Sequence, residues 1–326
     1  MSFKDKQVLI TGGMGFIGSN LAIKLVSEGA RVTILDAMLP QYGGNFYNLE
    51  SVKTQLEINT SDMRDKSKLL DLVKGKEFIF NLAGQVSHQD SMTDPFLDLD
   101  VNVKAQLNLL EACRQCAAGS VIVYSSTRQL YGAPEYLPVD ERHPVNPTDV
   151  NGINKLAAEQ YHSLYSKVYG MKIVSLRLTN TYGPRQLIKN ARQGFVGWFV
   201  NRAILGETIQ LFGTGEQIRD FTYVDDVVSA LCIAASTPNC HGRVYNLGGE
   251  QATLKQVAEL LIKHCGKGRI EITPFPEERR KIDIGNFYGS YEKFAADVGW
   301  RPKIGLSDGL RNMIDYYKAN KDFYLE

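Results

Sequence analysis

The chain lacks a long apolar run, an excess of either charge, a metal-ligand spacing and any internal repeat. Each absence removes a class of protein. No stretch of its 326 residues approaches the ~18 apolar positions of a membrane helix. With 37 Lys and Arg against 36 Asp and Glu, the net charge of +1 offers no footprint for nucleic acid or an anionic bilayer. There is no H-E-x-x-H and no Walker A sequence, so no metal is expected. The five cysteines are odd in number and scattered, and the chain enters a strand-like segment at once. Reduced thiols, no secretory leader and a cytoplasmic location are the expectation. Cys113 and Cys116 form a C-x-x-C, but they lie in a helical pattern with Leu107, Leu110 and Ala117 and have no second ligand pair. Packing accounts for them better than zinc or redox chemistry.

What is present is concentrated at the start. Val8-Leu9-Ile10-Thr11 reads as a buried strand, Gly12-Gly13-Met14-Gly15-Phe16-Ile17-Gly18 as a turn into a helix, and Val32 to Leu35 as a second strand ending at Asp36. Gly12 permits the tight turn, Gly15 lets the backbone approach a pyrophosphate, and Gly18 allows the helix to pack on the sheet. The N–H groups and positive dipole end of helix 16–28, at Phe16 and Ile17, face the phosphates. Asp36 follows Gly12 by 24 residues, where a carboxylate accepts both adenosine ribose hydroxyls. It would repel a 2′-phosphate, and Ala37-Met38 supplies no arginine to hold one, which favours NAD over NADP.

Strand-like segments at 7–11, 31–35, 55–58, 77–82, 120–125 and 172–178 alternate with helical patterns at 16–28, 65–73, 96–117 and 150–169. This alternation predicts an α/β fold, a doubly wound parallel Rossmann sheet, with a smaller C-terminal α/β substrate domain. The expected NAD-binding domain is 1–180 plus about 216–248. The expected substrate domain is about 181–215 plus 249–326. Segment 38–49 is turn-rich and reads as a loop near the adenosine. Smaller elements are expected at 194–205, 208–212, 221–235, 251–265, 269–273 and 306–320.

Further motifs carry a resemblance. They are Asp62-Met63-Arg64-Asp65, Asn81-Leu82-Ala83-Gly84, Ser125-Ser126-Thr127 before Leu130-Tyr131-Gly132, Lys155-Leu156-Ala157-Ala158-Glu159, Arg177 to Pro184, Arg219-Asp220-Phe221 and Asn246-Leu247-Gly248-Gly249. With the opening turn, they make the chain resemble the extended short-chain dehydrogenase/reductase family, in its nucleotide-sugar epimerase and dehydratase group. Ala83-Gly84-Gln85-Val86 and Gln193 to Phe199 look most like the CDP-tyvelose-type 2-epimerases. The resemblance implies bound NAD near Asp62, Met63, Leu82, Ala83 and Gly84, and a nucleoside diphosphate sugar as substrate. It also implies epimerisation by transient oxidation of a sugar hydroxyl, and a homodimer. Dehydration, decarboxylation or reduction on the same scaffold, or silent binding of the sugar nucleotide, are the alternatives.

In that family a tyrosine takes the hydroxyl proton and a lysine four residues later lowers its pKa and holds the nicotinamide ribose. Here Lys155 matches the lysine and Thr127 the Ser/Thr that shares the substrate hydroxyl, but Asn151 stands at the tyrosine position. An amide does not titrate near neutral pH and is no base. His88 is the first candidate to replace it, because it follows a strand end and histidine titrates near neutrality. A ring bonded to backbone or phosphate is the plainer reading, and an engineered change at position 151 is another.

By resemblance, Asn180 and Arg219 contact the diphosphate, and Arg280 with Asp283 matches a later basic position. Arg280 also fits a solvated charge run. Ser87 lies at the same strand end as His88. Arg128 and Gln129 occupy positions where 4,6-dehydratases carry Asp-Glu, so water expulsion is disfavoured. Arg128 suits an anionic or strongly polar substrate group, or equally a surface salt bridge.

Overall fold

The computed structural model describes residues 2–39 and 41–325, with the side chains of all of these except Glu278 and Arg279. Twelve strands occur among them: β1 Gln7–Thr11, β2 Arg31–Leu35, β3 Leu56–Asn59, β4 Phe78–Asn81, β5 Val121–Thr127, β6 Lys172–Leu178, β7 Asn180–Tyr182, β8 Thr208–Phe212, β9 Ile218–Tyr223, β10 Val244–Asn246, β11 Glu250–Thr253 and β12 Arg269–Thr273. Seven form one sheet in the order β10-β6-β5-β4-β1-β2-β3. Every pairing in it is parallel. The chain starts mid-sheet, winds to one edge and returns to the other, which is the doubly wound pattern.

The strands read as continuous apolar runs because both faces are covered. Val8 and Ile10 belong to one core, with Val32, Ile34, Phe80 and Val123, while Leu9 joins Leu35, Ile79 and Ile122 in the other. Helices Phe16–Ser27 and Val224–Ser236 bury Leu21 and Leu231 in the first core. Helices Lys66–Leu72, Ala105–Cys116 and Val150–Tyr169 bury Leu69, Leu109 and Tyr165 in the second. The first core continues without a break into helices Phe195–Leu205, Leu254–Cys265 and Leu306–Ala319. The β11-β9-β7 and β12-β8 sheets lie with these. Among the described residues no helix is long and apolar enough to cross a membrane.

Several elements differ from their sequence patterns. The expected helix 96–117 is Pro95–Leu99, one π-helical turn Asp100–Lys104, and Ala105–Cys116. Apolar periodicity does not register one extra residue in a turn, and such turns recur at functional sites. A short helix His88–Thr93 and strands β7 and β10 have no periodicity long enough to read. Segment 38–49 holds a turn and the short 3₁₀ helix Phe46–Leu49, and Pro40 lies outside the described residues.

Candidate active site at the strand ends

A cleft of about 590 Å³ runs along the C-terminal ends of β1, β2, β4, β5 and β6. Parallel sheets place ligands there, because successive crossovers diverge. At one end Gly12 turns with φ +69, and a side chain on it would meet Ala83 at 2.9 Å. A Cβ on Gly18 would collide with the Gly12 carbonyl, so the helix packs closely only with glycine. Gly15 faces the cleft and is the helix N-cap. It brings no side-chain hydrogen bond, and there is no acid in the first turn, so the N–H groups of Phe16 and Ile17 are left for an anion.

Asp36 accepts hydrogen bonds from the backbone N–H of Met14 at 2.9 Å and of Met38 at 3.0 Å. Burial raises its carboxyl above the usual range, and these two bonds partly offset that. They aim the carboxylate into the cleft, where its remaining lone pairs suit a pair of ribose hydroxyls. Leu82, Ala83 and Gly84 form the floor. The Thr11 hydroxyl accepts the Leu82 and Ala83 N–H groups at 3.1 Å each, which ties β4 to β1. Asp62 and Met63 close the rim. Burial would raise the Asp62 carboxyl, but the Arg64 guanidinium bonded to it at 2.6 Å holds it below its ordinary value.

Near the middle of the cleft Thr127 ends β5, and its hydroxyl accepts the Gln129 N–H at 3.2 Å. Lys155 donates to the Ser125 carbonyl at 3.1 Å, beside Gly84. Burial pushes its ammonium down to about 8, against the opposing pull of the Asp98 charge. Asn151 is 1% exposed, yet it lines the same cleft one helical turn from Lys155. Its amide nitrogen donates to the Gln85 carbonyl at 2.9 Å and to Asp98 at 3.0 Å. Asn154 donates to the other Asp98 oxygen at 2.7 Å. A carboxylate only accepts, so Asp98 fixes which end of the Asn151 amide points away from it. The π-helical turn supplies Asn102, which clasps the Gln85 backbone with both ends of its amide.

His88 starts a helix capped by Ser87, and Ser91 of that helix accepts the Asn151 N–H at 3.2 Å. This docking sets His88 Nδ1 against Asp149. Asp149 is the N-cap of helix Val150–Tyr169. One of its oxygens takes the Gly152 N–H at 2.7 Å and the other holds the His88 ring. Burial would raise Asp149, but the hydrogen bond and charge of His88, helped by the Gly152 N–H and the Arg128 guanidinium, keep it below the usual carboxylate range. Gln129 Nε2 lies 2.6 Å from His88 Nε2.

Beyond this lie Asn180, whose amide donates to the Asp220 carbonyl at 2.9 Å, and Arg219. Arg219 is held by the Ile218 and Gly285 carbonyls and by Asp283 at 3.6 Å. Burial lowers its guanidinium, with Asp283 and Asp220 opposing. Arg128 lines the cleft with its guanidinium 5.1 Å over the Phe287 ring. Among the described residues it makes no salt bridge. Phe195 also lines the cleft, whereas Phe199 is core. Arg280 is not brought in. It is exposed on the short helix Glu277–Arg280, and Asp283 takes the cleft position instead. A helix of one turn does not carry a register that sequence spacing can follow.

Two residues escaped sequence reasoning. Asp149 carried a signal, an aspartate directly before a helical run, which marks an N-cap with an oxygen to spare. Asp98 carried none, since it sits inside a helical pattern whose π-helical turn is invisible in the spacing. No group of three or more His, Cys, Asp or Glu able to hold a metal occurs among the described residues.

Residues 8–248 match the model of the NAD dependent epimerase/dehydratase family. The chain is 32% identical over 317 residues to a putative UDP-glucose 4-epimerase of Methanocaldococcus jannaschii, covering 96% of this chain and 99% of that one. It is 30% identical over 337 residues to the CDP-paratose 2-epimerase of Salmonella typhi, covering 95% and 98%. Its fold matches the Thermus thermophilus UDP-glucose 4-epimerase in complex with NAD with a TM-score of 0.85 at 33% identity, covering 96% and 99%. The chain belongs to the NAD-dependent epimerase/dehydratase family, and NAD is its cofactor. The glycine-lined helix start and the doubly held Asp36 carboxylate fit that cofactor.

Proposed function

We propose that the protein epimerises a nucleoside diphosphate sugar by transient oxidation of a sugar hydroxyl, with His88 as the proton acceptor. The observation that carries this is the His88–Asp149 pair, which lines the same cleft as Thr127 and Lys155 and brings a titratable ring where Asn151 offers none. NAD, when bound, supplies a reversible hydride acceptor. Gly12, Gly15, Phe16, Ile17 and Asp36 hold its adenosine and diphosphate, and Lys155 its nicotinamide ribose. With a carboxylate at Nδ1, that nitrogen keeps its proton and Nε2 presents the lone pair. The Gln129 amide yields this position to a sugar hydroxyl. Turned end for end, its carbonyl oxygen then accepts from the protonated ring. Thr127 shares the hydroxyl's hydrogen bond, and the Asn151 carbonyl oxygen orients it. Ser87, Arg128 and Gln129 lie around the sugar, and Asn180 and Arg219 at the diphosphate. Residues 1–180 and about 216–248 carry the cofactor, and the remainder carries the nucleotide sugar.

The test is to add nucleotide sugars to the NAD-loaded protein, follow the NADH absorbance band, and identify the product by NMR. An epimer of unchanged composition is expected, with transient absorbance. A product that has lost water or carbon dioxide overturns epimerisation. Binding with no absorbance change and no product overturns the enzyme reading.

Five free cysteines support a reducing, cytoplasmic setting. Ile153, Leu164 and Val168 are exposed along one face of helix Val150–Tyr169, and this face suits a second copy in a homodimer. Sedimentation velocity distinguishes dimer from monomer.

A further inference from the structure

We propose that the sugar this protein accepts is acidic, and that Arg128 holds its carboxylate. The inference rests on the nucleotide-sugar reading above and names the substrate class. Among the described residues, no carboxylate or carbonyl bonds to the Arg128 guanidinium, and its only ring contact is with Phe287 at 5.1 Å. Its position in the cleft leaves up to five N–H donors for a ligand. Three carboxylates lie close enough to act on it by charge, namely Asp220, Asp149 and Asp283. Asp149 is committed to His88 and Gly152, and Asp283 to Arg219, whereas among the described residues Asp220 takes the Gly289 N–H at 3.2 Å with one oxygen and leaves the other unpaired, with no hydrogen bond to Arg128. Burial and the neighbouring Arg219 charge depress the guanidinium to about 10, so its charged form is under-compensated without a ligand.

A desolvated cation is stabilised by a geometrically matched anion, and a planar guanidinium matches a carboxylate with two parallel hydrogen bonds. Arg128 follows Thr127 directly, and both line the cleft together with Arg219, whose charge acts on Arg128, so the free nucleoside diphosphate is measured beside the sugar conjugates. Asp149, which supports His88, also acts on Arg128 by charge, so the carboxylate site and the base share one part of the cleft.

Calorimetry on the NAD-loaded protein with uridine, cytidine, guanosine and thymidine diphosphates first selects the nucleoside. Affinities are then compared for that nucleoside's diphosphoglucose and diphosphoglucuronate. The wild-type protein should bind the glucuronate at least about tenfold more tightly than the glucose conjugate. Arg128→Gln should bring that ratio near one, and Arg128→Lys should leave it between. Equal affinity for the two conjugates in the wild type overturns the inference and leaves the nucleotide-sugar reading standing. A ratio unchanged in Arg128→Gln, with the free nucleoside diphosphate weakened as much as the glucuronate, makes Arg128 a phosphate contact and also overturns it. Failure of every nucleoside diphosphate to bind overturns the nucleotide-sugar reading, and this inference with it. The wild-type comparison needs no variant to fold.

Discussion

The two ends of the cleft are built by different means. At the cofactor end the work is done by backbone: glycines that admit close approach, N–H groups at a helix start, and an aspartate held by two further N–H groups. At the end proposed for the sugar it is done by side chains from distant segments. There His88 meets Asp149, Asn151 meets Asp98, and Arg128 stacks on Phe287. A backbone site is specified by a few local residues and constrains what stands there. A side-chain site can exchange its members if the partners change together. Asn151 bonds a buried Asp98 here, and His88 has its own carboxylate in Asp149.

The largest effect that would sharpen this contrast is at His88. His88→Gln should lower turnover by about 10²–10⁴-fold while NAD and the nucleotide sugar still bind. Activity that survives the substitution would move the base elsewhere and leave the sugar end undefined.

Next comes the scaffold under the sugar end. Glu159 and Arg177 are buried and paired at 2.6 Å. Ser126 and Tyr131 complete the network, which joins β5 and β6 to helix Val150–Tyr169. Glu159→Ala leaves a buried guanidinium without its partner and should cost about 3–5 kcal/mol in urea unfolding. A cost below about 1 kcal/mol would mean that water reaches the pair.

A smaller effect is expected at the cofactor end. Asp36→Asn should weaken NAD binding by about 1.5–3 kcal/mol and relax discrimination against NADP. Tighter binding of NADP than NAD by the wild-type protein would show that the carboxylate is not the ribose acceptor.

The most gradual is a pH effect at Lys155, spread over more than two pH units. Burial lowers its folded value to about 8, below the ordinary 10.5 of the unfolded chain. Between these values the unfolded state binds more protons, so this group's contribution to stability rises with pH. It is constant below 8 and complete above 10.5. The stability of the wild type relative to Lys155→Met should therefore rise across that window, by about 1 kcal/mol per pH unit. The variant serves as the reference because buried tyrosines and cysteines titrate in the opposite sense. A flat difference would mean that the ammonium stays hydrated.

The sheet, its strands, the glycine turn and Asp36 were legible in the sequence because they depend on near neighbours. Apolar runs make strands, glycine spacing makes the turn, and an acid at a strand end puts a carboxylate in the cleft. The positions of Thr127, Lys155 and Asn151 were legible for the same reason, since strand end and helical spacing are local properties. Arg280 was not, because a single helical turn has no periodicity to orient it. Nor were the pairings at the sugar end. Asp149 lies 61 residues from His88 and Asp98 lies 53 from Asn151, and only the packing of separate helices brings them together. The sequence by itself determined a parallel sheet with a dinucleotide cleft and an amide where a phenol was expected. The tertiary structure decided which carboxylate stands behind which side chain, because burial and charge are properties of assembled neighbours rather than of any one segment.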